Sequence, residues 1–152
     1  MILQAIFDKL NATATITAII GTDPTKAFPG RAPTDINDSV GISQKVRPPF
    51  ITFSIAGGES ERHMGGDTGT VVGGFTFQFV ADTYLGAETL FNTFRKAIDS
   101  SANTTWGSVR IQRATVDDPN DITNDPLTGA QLDWPTLESF VEVVYERTAA
   151  SP

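Results

Sequence analysis

The sequence predicts one α+β domain, in which an antiparallel sheet of about four main strands carries two helices packed on one face. Two observations lead to this prediction. Apolar residues recur at helical spacing near the N-terminus and again after Asp82. In four other segments they alternate with polar residues, as half-buried strands require. The chain order is helix, strand hairpin, helix, strand hairpin, and a length of 152 residues suits a single domain over 1–152.

The helical segments lie near the N-terminus and after the middle of the chain. The first has one apolar face, formed by Ile2, Leu3, Ile6, Phe7 and Leu10. Asn11 is a candidate cap for a second, short helical piece, which Gly21 ends. The clearest apolar stripe comprises Ala87, Leu90, Phe91, Phe94, Ala97 and Ile98. This stripe predicts the main helix of the domain.

The main strands form two predicted hairpins. In the first strand Ile51, Phe53 and Ile55 alternate with polar residues. Its antiparallel partner repeats the pattern in Phe75, Phe77, Phe79 and Ala81. The second pair runs from Val109 to Val116 and from Leu137 to Arg147, and in its last strand apolar residues alternate with glutamates. We therefore expect each strand to bury one face.

Three long connections separate these elements. Residues 22–49 contain five prolines and few apolar residues, which predicts a long proline-rich loop with one short strand before Pro29. Residues 57–74 are predicted to be a glycine-rich hairpin arm, with a kink or bulge at Gly73 and Gly74. Residues 117–136 are predicted to be an acidic loop.

Composition excludes several classes of protein. The chain has 11 Lys and Arg residues against 18 Asp and Glu residues, a net charge of −7, which argues against a protein whose main task is to grip nucleic acid. It has no cysteine, so disulfides, thiolate metal sites and a cysteine nucleophile are excluded. No apolar run approaches the roughly 20 residues of a membrane span, and the N-terminal stretch does not have the pattern of an export signal. We expect the protein to be made in a cytoplasm.

The only histidine, His63, lies in the glycine-rich segment, and any hydrolytic triad would need it, with Ser60 or another serine as nucleophile. Glycine pairs on both sides make this segment a poor support for a catalytic base, so an exposed or interface histidine is the favoured interpretation. Metal binding by His63 with Glu59, Glu61 and Asp67 lacks a recognised ligand spacing.

The acidic loop offers oxygen ligands of the kind that calcium prefers. They are Asp117, Asp118, Asn120, Asp121, Asn124 and Asp125. Their spacing does not match an EF-hand, so a solvated turn is the favoured interpretation. The stretch GGDTGTVVGG lacks the Lys-Ser/Thr of a P-loop and is not followed by a helix. We therefore predict no catalytic residue, no metal and no cofactor, and hence no enzyme.

The face of the sheet that the helices leave uncovered is the strongest candidate for contact. Besides Glu and Thr it carries four larger apolar residues, Phe50, Val80, Phe140 and Val144. Such a face favours contact with another copy of the chain, and an ordinary mixed surface is the alternative.

An ordered set of segments covers nearly the whole chain. They are ILQAIFDKLNATATITAIIG, KAFPGRAP, RPPFITFSIAGGE, FTFQFVADTYLGAETLFNTFRKAI, WGSVRIQRATVDD and ESFVEVVYER. In this order and spacing the sequence resembles the tail-terminator, or tail-completion, proteins of long-tailed bacteriophages and related prophages. Each segment is a pattern of fold rather than a catalytic signature. The stretch PTDINDSVGISQKVRP and the acidic loop are longer than in the shorter family members.

The resemblance implies a structural role in the virion. Proteins of this family assemble, typically as a hexameric ring, on the head-proximal end of the tail tube, where they end tail polymerisation and provide the surface that docks the head connector. The implied partners are other copies of the chain, the tail-tube protein and the connector or stopper protein, with DNA passing through the ring without specific binding. The implied location is the neck of the virion. A stopper or adaptor, a tail-tube subunit, and more distantly a small hydrolase or ligand-binding domain are the alternatives.

The same resemblance suggests a use for the glycine-rich arm. We expect it to order against a neighbouring subunit or the tail tube, and its candidate contact residues are Glu61, Arg62, His63, Met64 and Asp67.

Overall fold

A computed structural model describes residues 2–22, 24–56, 70–99, 101–123 and 134–146. The helices are α1 (Ile2–Ala12), α2 (Ala14–Ile20) and α3 (Tyr84–Ile98). The strands are β1 (Ala27–Pro29), β2 (Asp35–Asn37), β3 (Ser43–Lys45), β4 (Phe50–Ile55), β5 (Thr70–Val80), β6 (Ala102–Trp106), β7 (Val109–Val116), β8 (Asn120–Asp121) and β9 (Thr136–Glu146). The prediction of an α+β fold is confirmed.

Seven strands form the main sheet. Its order is β1-β4-β5-β9-β7-β6, and β8 pairs with one end of β9. Every pairing is antiparallel except that of β1 with β4. The sheet has more strands than the about four main ones predicted. The additional strands are β1, which is the short strand predicted before Pro29, and β6 and β8, whose 5 and 2 residues are too few for a clear alternation.

A second sheet lies within the proline-rich segment 22–49. It contains only β2 and β3, paired antiparallel from Asp35 opposite Lys45 to Asn37 opposite Ser43. Both strands are largely exposed, so they lack the alternation of apolar and polar residues that would have predicted them.

Helix α3 packs on the centre of the sheet through phenylalanines, as its apolar stripe predicts. The ring of Phe94 lies 4.7 Å from that of Phe77 and 4.9 Å from that of Phe79. The Phe91 ring meets Phe79 edge-on at 5.4 Å. Thr83 caps the helix, because its Oγ1 accepts a hydrogen bond from the N–H of Gly86 at 2.9 Å. The core is therefore an aromatic layer between α3 and β5.

The described chain has three helices where two were predicted to pack on the sheet. The additional one is α2, the short helical piece predicted after the first helix, and it is separated from α1 at Thr13. Asn11 does not cap the second of them. It lies inside α1, and its Oδ1 accepts a hydrogen bond from the Thr25 hydroxyl at 2.6 Å. Gly21 does end α2, with a φ of +98° that only glycine adopts easily.

The bulge predicted at Gly73 and Gly74 is also wrong, since both residues stay in register with β9. The irregularity of the sheet lies instead in β7, between Ile111 and Arg113. The glycines serve a different need. A Cβ on Gly74 would lie 2.6 Å from Cζ of Phe140, so the absent side chain leaves room for that ring.

Candidate interaction surface

Strand β5 divides the molecule into a covered and an open side. Its odd-numbered residues, such as Phe75, Phe77 and Phe79, face the helices and are buried. Its even-numbered residues point to the opposite side, together with the even-numbered residues of β9 that they pair with. Four candidate contact residues lie on this open face, namely Phe50, Val80, Phe140 and Val144.

Two of these four residues are partly covered by the chain itself. The Phe50 ring meets the ring of Phe28 edge-on, with centroids 6.1 Å apart. Val80 is buried, and its cross-strand neighbours are Phe50 on one side and Thr136 on the other. This end of the open face is therefore a small packed cluster and not a bare apolar surface.

The other two residues are more accessible. Phe140 keeps 42% of its surface exposed, and Val144 is half-buried. The Phe140 ring covers the backbone of Gly74 on the neighbouring strand. An exposed phenyl ring on a sheet face is the kind of group that a partner protein buries.

Polar side chains cross the open face between the apolar groups. The Thr52 hydroxyl donates to Oε1 of Gln78 at 3.4 Å, and Nε2 of Gln78 donates to Glu138 at 3.2 Å. Farther along, Arg113 pairs with Glu142 at 3.6 Å and Arg110 with Glu146 at 3.3 Å. These contacts pair several polar side chains of the face within the chain.

A shallow cup of about 350 Å³ opens on this face. Phe50 and Val80 lie in its lining with two residues that the sequence analysis missed, Arg31 and Trp134. The other lining residues are Gly30, Ala32, Thr52, Gln78 and Thr136. Arg31 follows β1 and Trp134 precedes β9, and no local pattern in the sequence links them.

Hydrogen bonds to the neighbouring strands hold the segments that carry Arg31 and Trp134 in place. The N–H of Gly30 donates to the carbonyl of Phe53 at 2.7 Å, and a φ of +82° at Gly30 turns the chain toward Arg31. The Thr136 hydroxyl donates to the carbonyl of Trp134 at 2.9 Å. The rim of the cup is thus attached to β4 and β9.

The arm residues Glu61, Arg62, His63, Met64 and Asp67 lie outside the described residues, and their predicted role in contacts stays a prediction. The same holds for Ser60 and Glu59, the other members of the triad and metal alternatives.

In the acidic loop, two of the described carboxylates have structural partners. Asp118 pairs with Arg95 of α3 at 3.0 Å, and Oδ1 of Asp121 accepts the N–H of Thr123 at 2.9 Å. In the part of the chain that the structure describes, no three His, Cys, Asp or Glu side chains lie together as a metal ion would need. Asn124 and Asp125 lie outside that part.

No helix within the described ranges is long and apolar enough to cross a membrane.

Of the comparisons with known proteins, the one with solved structures found similar chains. No protein-family model matches the chain, and no curated protein sequence matches it. Among solved structures, the chain is similar to a chain in the virion of a native gene transfer agent (GTA) particle. The TM-score is 0.62 at 14% identity, over 94% of this chain and 92% of that chain. At this identity the similarity shows a shared fold over nearly the full length of both chains.

Proposed function

We propose that the protein is a non-enzymatic structural component of a virion, which forms a ring on the head-proximal end of the tail tube. The ring ends tail polymerisation and provides the docking surface for the head connector. The observation that carries the proposal is the fold shared, over 94% of this chain, with a chain of a GTA virion. The ordered segments that resemble tail terminators agree with it.

The open face supports assembly with other copies. A closed ring needs two different patches on each subunit, because each copy contacts its neighbours head to tail. The open face supplies one patch, with Phe140 exposed and the cup beside it. Specific interfaces commonly gain most of their affinity from a few aromatic residues and arginines of this kind.

Net charge supports the passage of DNA through the ring. With a net charge of −7, the chain repels a phosphate backbone more than it holds one. We propose that DNA crosses the ring without specific binding and that the tail-tube protein and the connector are the other partners. A ring whose lumen is lined by Lys and Arg would contradict this part of the proposal.

Two related structural roles compete with this one. A tail-tube subunit polymerises into long tubes, whereas a terminator stops at a single ring. A stopper or adaptor binds the head side and does not cap purified tubes. The distant alternative, a small hydrolase or ligand-binding domain, needs a concave site with convergent reactive groups. The cup is lined by Thr, Gln, Arg and apolar residues and offers no nucleophile paired with a base among its described lining.

Mass photometry and negative-stain imaging of the purified protein across concentrations test the proposal. Closed rings near six times the 16.3 kDa chain mass are the expected result. If only monomers form, purified tail tubes are added, and a ring at one end of each tube is expected. Long tubes would assign the protein to the tube, and monomers that ignore the tubes would contradict the proposal.

A matched pair of variants tests whether the open face makes the contact. Phe140→Asp places a charge on the exposed ring position, and Asn92→Asp adds the same charge on the exposed side of α3. We expect the first variant to fold and remain monomeric and the second to assemble as the native chain does. Equal assembly of both variants would remove the open face from the proposed interface.

A further inference from the structure

The hairpin of β2 and β3 projects from the domain. Its strands pair with each other and with no strand of the main sheet. At its tip, Val40 is 75% exposed and Ile42 is 60% exposed, the most exposed pair of large apolar side chains in any one connection of the described chain. A short hairpin that presents aliphatic groups to water is costly unless a partner buries them.

Asp38 holds this tip in one conformation. Its Oδ1 accepts hydrogen bonds from the N–H groups of Val40 at 3.0 Å and Ile42 at 2.9 Å. Its backbone N–H donates to the carbonyl of Ile42 at 3.1 Å, and Gly41 turns the chain with a φ of +87°. Both aliphatic side chains are therefore presented outward on a preformed turn, which lowers the entropy lost on binding.

The base of the hairpin is also fixed. The N–H of Val46 donates to the carbonyl of Thr34 at 2.9 Å, and Nζ of Lys26 donates to the carbonyl of Arg47 at 2.7 Å. Burial lowers the pKa of Lys26 below its ordinary value, while the nearby carboxylate of Asp82 acts in the opposite direction. Pro33 enters the hairpin and restricts its backbone. The hairpin thus projects as a stiff element.

The cup on the open face combines apolar lining residues with a charge opposite to that of the tip. Phe50 and Val80 supply apolar lining, and Trp134 forms an exposed wall. Arg31 lies at the rim, is exposed, and forms no ion pair with any residue in the described ranges. The tip has the opposite charge in Asp38, next to two aliphatic groups.

We propose that the hairpin tip of one copy, residues 38–42, inserts into the cup of the neighbouring copy. Val40 and Ile42 pack against the apolar lining, and the carboxylate of Asp38 faces Arg31. The occupant is a second copy of this chain, because each copy carries both the projecting half and the receiving half of the contact. Such a contact is heterologous, as a ring requires. It anchors a wider interface, since a tip of five residues covers less than the roughly 800 Å² that a stable interface buries on each partner.

The absence of cysteine in the chain allows a direct test by disulfide cross-linking. One variant carries Val40→Cys at the tip, and the other carries Ala32→Cys at the rim of the cup. The two single variants are mixed under mild oxidation, at up to about 1 mM protein. The expected product is a disulfide-linked heterodimer, in higher yield than the linked homodimer that either variant forms alone. The matched control pairs Val40→Cys with Leu85→Cys, which is more exposed but lies on α3. No preferential link between tip and cup at any concentration overturns the inference.

Affinity measurements separate the apolar and charged parts. Val40→Ser and Ile42→Ser remove exposed groups, so folding is unaffected, and together they are expected to weaken self-association about ten-fold or more. Asp38→Asn keeps the acceptor that holds the tip but removes its charge, and we expect a loss of at most about five-fold. Asp35→Asn, on the hairpin stem, is the matched control with no change expected. The inference fails if the serine variants associate as tightly as the native chain.

The inference rests on the proposed function only for the role of the assembly, which is a ring on the tail tube; the contact itself can be tested independently. A tip-to-cup link in a protein that does not cap tail tubes would support the contact and contradict the terminator role. If the serine variants still form rings that cap tail tubes, the terminator role would be supported and the tip-to-cup contact would be overturned.

Discussion

The two faces of β5 lie on one strand yet have different chemistry. On the covered face Phe75, Phe77 and Phe79 are almost fully buried, and the rings of Phe77 and Phe79 pack against phenylalanines of α3. On the open face the same strand carries Thr76 and Gln78 among residues that stay partly accessible. The alternation of side chains along the strand thus separates two roles. One face packs in the core, and the other remains accessible to a partner.

The two faces differ in the step at which an apolar residue contributes its energy. A phenylalanine on the covered face is held by other aromatic rings, and its energy is gained when the chain folds. Phe140 on the open face keeps 42% of its surface in contact with water, so part of its hydrophobic energy is gained only when a partner covers it. Residue type alone does not separate these two roles.

The largest expected effect comes from truncating the aromatic layer. Phe79→Ala removes a ring that contacts both Phe91 and Phe94 and is fully buried. We expect a loss of about 3–5 kcal/mol in the free energy of unfolding, from lost burial and the cavity that remains. Urea denaturation followed by circular dichroism measures it.

Phe140→Ala is the control on the open face, with a smaller expected loss of about 1–2 kcal/mol because the ring is already partly hydrated. Similar losses for both variants would mean that the two faces do not differ as proposed.

Sequence reasoning succeeded where one period extended over a long element. Helix α3 and strands β5 and β9 each have at least eleven residues, and the stripe or alternation within them predicted all three elements. In β5 the alternation was recognised only from Phe75 onward, and the residues before it were assigned to the glycine-rich arm. The short strands β1, β6 and β8 have no such pattern, because pairing with longer neighbours stabilises them.

The candidate site was predictable only in part, for a related physical reason. Phe50, Val80, Phe140 and Val144 were assigned to one face by alternation, and the structure places them there. The cup depends on two loop residues, Arg31 after β1 and Trp134 before β9, that tertiary structure brings together. The bulge expected at two adjacent glycines was wrong because glycine also serves close packing of rings.

Those two glycines give the second prediction. A Cβ on Gly73 would lie 3.1 Å from the ring of Phe75, which is buried and has no room to move. We expect Gly73→Ala to lower the free energy of unfolding by about 1–3 kcal/mol through overpacking. Gly74→Ala would approach Phe140 more closely, at 2.6 Å, yet cost less, because that exposed ring is free to rotate outward. Thermal unfolding of both variants compares them, and a greater loss for Gly74→Ala would contradict the assignment of the faces.

The third prediction concerns the polar contacts that cross the open face. Gln78 lies opposite Glu138, so Gln78→Glu places two carboxylates side by side. We expect a loss of about 0.2–1 kcal/mol at neutral pH from their repulsion. The repulsion raises the pKa of the pair in the folded state, so the variant regains stability relative to the native chain as the pH falls through about 4. Gln78→Ala separates this effect from the lost hydrogen bonds, and a pH-independent loss in Gln78→Glu would rule out charge repulsion.

The smallest effect is expected for the ion pair between Arg113 and Glu142. Their side chains are 65% and 43% exposed and 3.6 Å apart, so solvent screens the attraction. A double-mutant cycle with Arg113→Ala and Glu142→Ala is expected to give a coupling energy of about 0.2–1 kcal/mol in dilute monomer, reduced further in about 1 M salt.

The same double-mutant cycle, measured in the assembled protein, tests whether the open face is covered there. If a neighbouring copy covers the open face, water is excluded from the pair, and its coupling energy increases and becomes less sensitive to salt. An unchanged coupling energy on assembly would mean that this end of the open face remains in water, and the interface would then be confined to the cup and Phe140.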